Sequence, residues 1–267
     1  MGARQPGERR GPRGLTDARQ AAVLAALAGV AVLGWVTAGD RMAGMDEGPG
    51  TDVGPLASYV SLWVVMIGAM MIPSAAPMVV VHSAVRRRRR SLGRGAGRGG
   101  SALFVGGYVS AWTAFGLVAY GLFELLRSLD VEALSWARDG RYAAAAVIAA
   151  AAAYQLSGLK DACLSKCRDP IGFVVASWRD GAAGAVRMGA EQGAWCAGCC
   201  WALMAVLFAL GFMSIAWMAV VAGLIAAEKL LPSGRLAARA VALVLLVLAV
   251  SVAVAPATVP GLTIPGA

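Results

Sequence analysis

The stretch "SLWVVMIGAMMIPSAAPMVVVHSAVRRRRR", Ser61–Arg90, decides how the chain is read. It carries no charged residue from Ser61 to Val81 and then meets five consecutive arginines, Arg86–Arg90. An apolar run of about 20 residues is what a helix needs to cross the hydrocarbon of a bilayer. A basic cluster at its end holds that end in the cytoplasm. The rest of the chain repeats the pattern. Of 267 residues, 59% are hydrophobic and 15% charged, a balance that soluble domains rarely reach. Apolar stretches near 20–38, 60–81, 102–125, 142–157, 190–212, 214–228 and 237–255 predict an all-α, polytopic transmembrane helix bundle of about seven spans (six to seven). The fourth and sixth are short. The sixth follows the fifth after little more than Phe212–Ser214, which predicts a tight antiparallel hairpin.

Loop charges set the expected orientation. With the N-terminus in the cytoplasm and the spans alternating, 20 of the 24 Lys/Arg fall inside, as the positive-inside rule requires. This divides the chain into a basic cytoplasmic arm (1–19), a single transmembrane domain (20–255) and a short extracytoplasmic tail (256–267). The first apolar run has no clean cleavage box after it, so it reads as a retained anchor. Trp35, Trp63, Trp136 and Trp217 then fall at the outer interface. The expected setting is multi-pass in the plasma (inner) membrane, with the lipid bilayer as first partner. "SLGRGAGRGG" (91–100) reads as a flexible linker.

Several functions are excluded. The net charge of +9 lies in loops that orient the chain and meet lipid headgroups, and no basic groove with interleaved aromatics is present for nucleic acid. One histidine, His82, rules out a poly-His metal site and catalysis by several histidines. There is no phosphate-cradling glycine loop and no Ser/His/Asp set, so no catalytic residue is expected.

The chemistry gathers in sulfur. "EQGAWCAGCCWALM", Glu191–Met204, holds Cys196, Cys199 and Cys200 at i, i+3 and i+4, one face of a helix. Met204 extends that face, and Gly189 and Gly193 at small-xxx-small spacing allow another helix to approach. The apolar stretch begins near residue 190, which puts the thiols about 10 Å into the span. "KDACLSKCRDP" places Cys163 and Cys167 at i, i+4 on a short cytoplasmic helix that Pro170 should end. In the span that opened the reading, Met66 and Met70 share a face, Met71 is adjacent, and Pro73 and Pro77 should break the helical ladder. His82 closes its cytoplasmic end. Soft thiolate and thioether donors select Cu(I). Zinc prefers four ligands in a tetrahedron, and Cys163 or Cys167 could complete such a set. Glu191 could neutralise an arriving cation or act as a helix N-terminal charge. Glu228 beside Lys229 reads as an interfacial pair that snorkels to the headgroups.

"GAMMIPSAAPM", "YQLSGLKDACLSKCRDP", "GCCWALM" followed by "GFMSIAWM", and "AAEKLLP" occur in that order between about Leu62 and Pro232. Together they resemble an uncharacterised bacterial family of integral membrane proteins described as predicted metal-binding. The resemblance implies a polytopic protein with a cysteine-based metal site. Its motif positions here are Met70, Met71, Pro73, Lys160, Cys163, Cys167, Cys199, Cys200, Met204, Met213, Met218, Glu228 and Lys229.

The expectation is a protein that binds, and transports or delivers, a soft metal ion, copper before zinc. Cys196, Cys199 and Cys200 would hold it, with Met204 in the same ligand set, Cys163 and Cys167 would take it up or release it, and Met66, Met70 and Met71 would line the passage or complete the coordination. Glu191, His82, Glu228 and Lys160 would support the site. The rival readings are a membrane thiol-disulfide oxidoreductase, for which "CAGC" supplies a C-x-x-C motif, and a metal-delivery or assembly factor serving a partner membrane protein or metallochaperone.

Overall fold

The computed structural model describes residues 13–44, 54–93, 100–128, 140–260 and 262. The expectations for residues 1–12, for most of the acidic loop after the first apolar run, for 94–99 of the linker, for Trp136 and for most of the tail lie outside the described residues.

Every regular element among the described residues is helical: α1 (Arg13–Met42), α2 (Leu56–Ser91), α3 (Gly100–Ser128), α4 (Arg141–Gln155), α5 (Gly158–Arg168), α6 (Pro170–Ala176), α7 (Gly181–Leu210), α8 (Ile215–Leu230) and α9 (Gly234–Val254), followed by a 3-10 turn. Five of them, α1, α2, α3, α7 and α9, are long and apolar enough to cross a membrane, and the count is six if α4 and α5, bent by 66° at their junction, act as one broken span. At 16 residues, α8 is shorter than a spanning helix usually is.

Hydropathy alone starts the cysteine helix near residue 190, but α7 begins at Gly181. The added turns, "GAAGAVRMGAEQG", are weakly apolar, and packing on α3 holds them helical. A Cβ at Gly107 would collide with the carbonyl of Val186, and one at Gly189 with that of Phe104. A Cβ at Gly193 would stand 2.7 Å from the carbonyl oxygen of Tyr108. The glycines therefore let α3 and α7 touch backbone to backbone. Cys196 consequently lies about 22 Å along α7 from its start, near the middle of the helix rather than close to one end.

The other helices pack around α7. It meets α3, α4, α5 and α8, while α2 packs on α1, α3, α6 and α8, and α9 covers α4. Gly211, at φ 126°, caps α7 and starts the short turn into α8, the hairpin expected from the spacing. Pro170 does not simply end the helix that carries Cys163 and Cys167. It opens α6, where Asp169 caps the new N-terminus by accepting from Gly172 N–H at 2.8 Å, the first-turn position proline suits. Nor do Pro73 and Pro77 break α2, which runs unbroken through both. Each removes a single N–H donor.

One half of the core is aromatic. Trp63 is fully buried inside the protein: its Nε1–H donates to the Trp112 carbonyl at 2.9 Å, and its ring stacks on Phe212 at 6.2 Å and Tyr59 at 5.7 Å. Trp217 is also buried. Phe208 stacks on Phe212 at 4.7 Å and completes the cluster around the α7–α8 turn.

Candidate metal centre

The sulfurs converge from two helices. On α7, Cys196, Cys199 and Cys200 share a face and are buried, because the i, i+3, i+4 spacing points all three inward. On α5, Ser157 caps the first turn by accepting from Lys160 N–H at 3.2 Å, and the helix then crosses α7. Cys167, partly buried, comes 3.6 Å from Cys199 Sγ. The sulfurs of Cys167, Cys196 and Cys199 all lie within 4.8 Å of one another. Cys200 Sγ lies 3.3 Å from Cys199 Sγ. Thiolates about 2.3 Å from a metal ion stand about 3.8–4.0 Å apart, so this donor set fits a soft cation with sub-ångström adjustment.

The α5 pair divides. Cys167 joins the cluster, whereas Cys163 packs against Gly198, where an added Cβ would stand 2.8 Å from its sulfur. Beside it, Tyr154 Oη–H donates to the Gly198 carbonyl at 2.7 Å. Cys163 and Cys167 are one helical turn apart, but the crossing of α5 over α7 sends their side chains to different neighbours.

Charged and polar groups surround the sulfurs. Lys229 Nζ donates to Cys196 Sγ at 3.0 Å and to Ser74 Oγ of α2 at 3.1 Å. Tyr108 Oη of α3 lies 2.9 Å from the same sulfur. Gln192, one turn before Cys196, turns its Nε2 toward Cys167 Sγ at 3.9 Å, and its Oε1 is buried without a hydrogen-bond partner.

Glu228 and Lys229 do not snorkel as a pair. Glu228 is 1% exposed and bridges to Lys160, which is 0% exposed, at 2.6 Å. The Lys160 ammonium also donates to the carbonyl of Cys199 at 2.6 Å. Lys160, on the short helix expected at the cytoplasmic side, is thus inside the protein. An ammonium is buried only when paired and hydrogen-bonded, and the carboxylate from α8 and the carbonyl from α7 meet that need.

The remaining expected residues are distributed as follows. Met70 and Met71 are buried in α2 in the turn before Ser74, the residue that meets Lys229, and Met66 is buried one turn further back. Met204 lines an apolar cavity of about 430 Å³ between α3, α4 and α7, with Phe123, Trp201 and Phe208. His82 is buried between the rings of Phe104 (4.7 Å) and Trp178 (5.5 Å), with Nδ1 unpartnered. It stands about 12 Å along α2 from Ser74, away from the sulfurs. Glu191 accepts from Ser177 Oγ at 3.2 Å and faces Arg179 at 3.9 Å. With Lys166, Asp169 and Trp195 it lines a cavity of about 420 Å³ beside the α5–α6 junction.

Sequence reasoning missed Tyr108, Ser74 and Gln192. For Lys229 and Glu228 the signal was present, since ionisable groups inside apolar helices mark functional sites by default. For Tyr108 the only local hint is its position next to Gly107.

A family model described as PpoB2, copper chaperone, matches residues 60–252, a stretch that holds all five cysteines. No curated protein matches the chain, and no solved structure does. The chain belongs to the PpoB2 copper chaperone family.

Proposed function

We propose that this chain is a multi-pass membrane protein that binds Cu(I) through Cys167, Cys196 and Cys199 and hands it to a partner protein. The observation that carries the reading is the convergence of those three sulfurs, within 4.8 Å of one another, from two helices. A compact soft-donor set favours Cu(I). Cys200, 3.3 Å from Cys199, offers the fourth sulfur that zinc would prefer, so zinc is the alternative cargo. Met66, Met70, Met71 and Met204 serve as nearby thioethers rather than as primary ligands. Cys163 stays outside the ligand set.

The membrane setting rests on the five or six long apolar helices and on the loop charges. With α4 and α5 counted together as one span, the basic loops favour a cytoplasmic N-terminus and a cytoplasmic α5–α6 junction, in the plasma (inner) membrane. The aromatic cluster of Tyr59, Trp63, Phe208 and Phe212 then closes the bundle on the outer side of the sulfurs. Cys167, the partly exposed member of the cluster, faces the cytoplasmic side. Metal is exchanged there, with Cys167 as first acceptor and last donor.

The test is metal analysis of the detergent-purified chain kept reduced. Near-stoichiometric copper that disappears in a Cys196→Ser/Cys199→Ser variant is the expected result. Sub-stoichiometric metal, unchanged by that double substitution, refutes the reading. The 3.6 Å approach of Cys167 to Cys199 also favours a second reading, thiol-disulfide exchange between the helices. That reading fails if all five cysteines alkylate as free thiols in cells under oxidising and reducing conditions alike.

A further inference from the structure

We infer that Lys229 is the residue that makes the sulfur cluster prefer a monovalent over a divalent soft cation. The inference rests on the metal-binding reading above and adds a selectivity element to it. Lys229 Nζ lies 3.0 Å from Cys196 Sγ, at the end of a side chain that enters from α8 and is steadied by Ser74 Oγ of α2 at 3.1 Å. The other lysine at the site, Lys160, has its charge offset by Glu228 at 2.6 Å. Glu228, although adjacent to Lys229 in sequence, is turned to that partner. The ammonium of Lys229 therefore directs its charge at the sulfurs.

The consequence follows from charge alone. Bound metal converts thiols to thiolates and releases their protons. For any fixed number of thiolates, the zinc complex carries one more positive charge than the Cu(I) complex. Cys167, Cys196 and Cys199 as thiolates carry two net negative charges with Cu(I) and one with Zn(II). On the same three thiolates the Lys229 ammonium is therefore attracted more strongly to the copper complex than to the zinc complex. A unit charge about 4 Å away, at an effective dielectric of about 20, changes relative affinity by up to about a thousandfold. Relaxation of the flexible lysine stem reduces this, and at least about a tenfold effect on the copper-to-zinc ratio should survive. Tyr108 Oη, 2.9 Å from Cys196 Sγ, is neutral and does not discriminate between the ions.

The experiment is competition between Cu(I) and Zn(II), each buffered by a chelator of known affinity, for the reduced full chain in detergent. The variants are Lys229→Met, Lys229→Gln and Lys229→Arg. The copper-to-zinc preference should fall at least about tenfold in Lys229→Met and Lys229→Gln and stay within about threefold of wild type in Lys229→Arg. A purely structural role would lower both affinities together and leave their ratio unchanged, so the ratio is the deciding readout. Lys229→Gln keeps a hydrogen-bond donor without the charge and supplies the result if Lys229→Met does not fold. An unchanged ratio in a neutral variant, with wild type still binding copper, overturns this inference alone. A wild-type chain that binds neither ion overturns the metal-binding reading and this inference with it.

Discussion

Replacing Lys160 with Met should destabilise the protein severely, and replacing Glu228 with Leu at the same time should restore most of the loss. The two groups are 2.6 Å apart with both side chains 1% exposed. At an effective dielectric of about 20, opposite unit charges at that distance attract by about 6 kcal/mol. Desolvating both ions costs several kcal/mol each, so the intact pair contributes little net stability over an apolar pair of similar volume. Removing one partner is different. It leaves a buried, uncompensated charge and costs about 3–5 kcal/mol, while the apolar double replacement is expected to fall within about 2 kcal/mol of wild type. Lys160→Met also removes the donor to the Cys199 carbonyl, which ties α5 to α7 where Cys167 meets the cluster. The assay is a double-mutant cycle on unfolding of the detergent-purified chain, read alongside bound metal. Expected are two damaging single substitutions and a coupling energy of at least about 3 kcal/mol. Independent effects that simply add, or two mild single substitutions, would refute the claim that these charges face each other inside the protein.

Three further outcomes follow from the geometry. Cys167→Ser should lower bound copper markedly while Cys163→Ser leaves it within about twofold of wild type, because the sulfur of Cys163 packs on Gly198 and not in the cluster; equal losses, measured by metal analysis, would contradict the division of the pair. Gly189→Leu should abolish folding or cost several kcal/mol, since the new side chain would drive α7 off the Phe104 carbonyl, whereas Gly29→Ala, a site with no atom near the added carbon, should be neutral or slightly stabilising in the same unfolding assay. Tyr108→Phe should remove the hydroxyl beside Cys196 at a cost of about 0.5–1.5 kcal/mol and leave the copper-to-zinc ratio intact, which separates its role from that of Lys229.

What could be read from the sequence was whatever depends on one helix at a time. The uninterrupted apolar run from Ser61 to Val81 identifies α2, and the i, i+3, i+4 spacing places Cys196, Cys199 and Cys200 on one face, because a helical repeat is a local property. The glycine spacing at Gly189 and Gly193 announced a close helix contact without naming α3 as the partner. What depends on two helices was not legible. Cys163 and Cys167 are equivalent by spacing, and only the 66° bend between α4 and α5 and the crossing of α5 over α7 decide which sulfur reaches the cluster. The Lys160–Glu228 pair spans 68 residues of sequence, and each member sits next to other charges that offered a cheaper local explanation.

The misreading of Glu228 and Lys229 shows why the site is arranged as it is. Two adjacent residues of opposite charge invite pairing with each other, but successive positions on a helix point about 100° apart. Glu228 therefore reaches Lys160 from one side of α8, and Lys229 reaches Cys196 from the other. Were the two to neutralise each other at the surface, the buried Lys160 would be left uncompensated and the sulfurs would lose their facing ammonium. Splitting the pair resolves both demands with two residues: one charge closes an internal ion pair that ties α5 to α8, and the other faces the sulfur of Cys196.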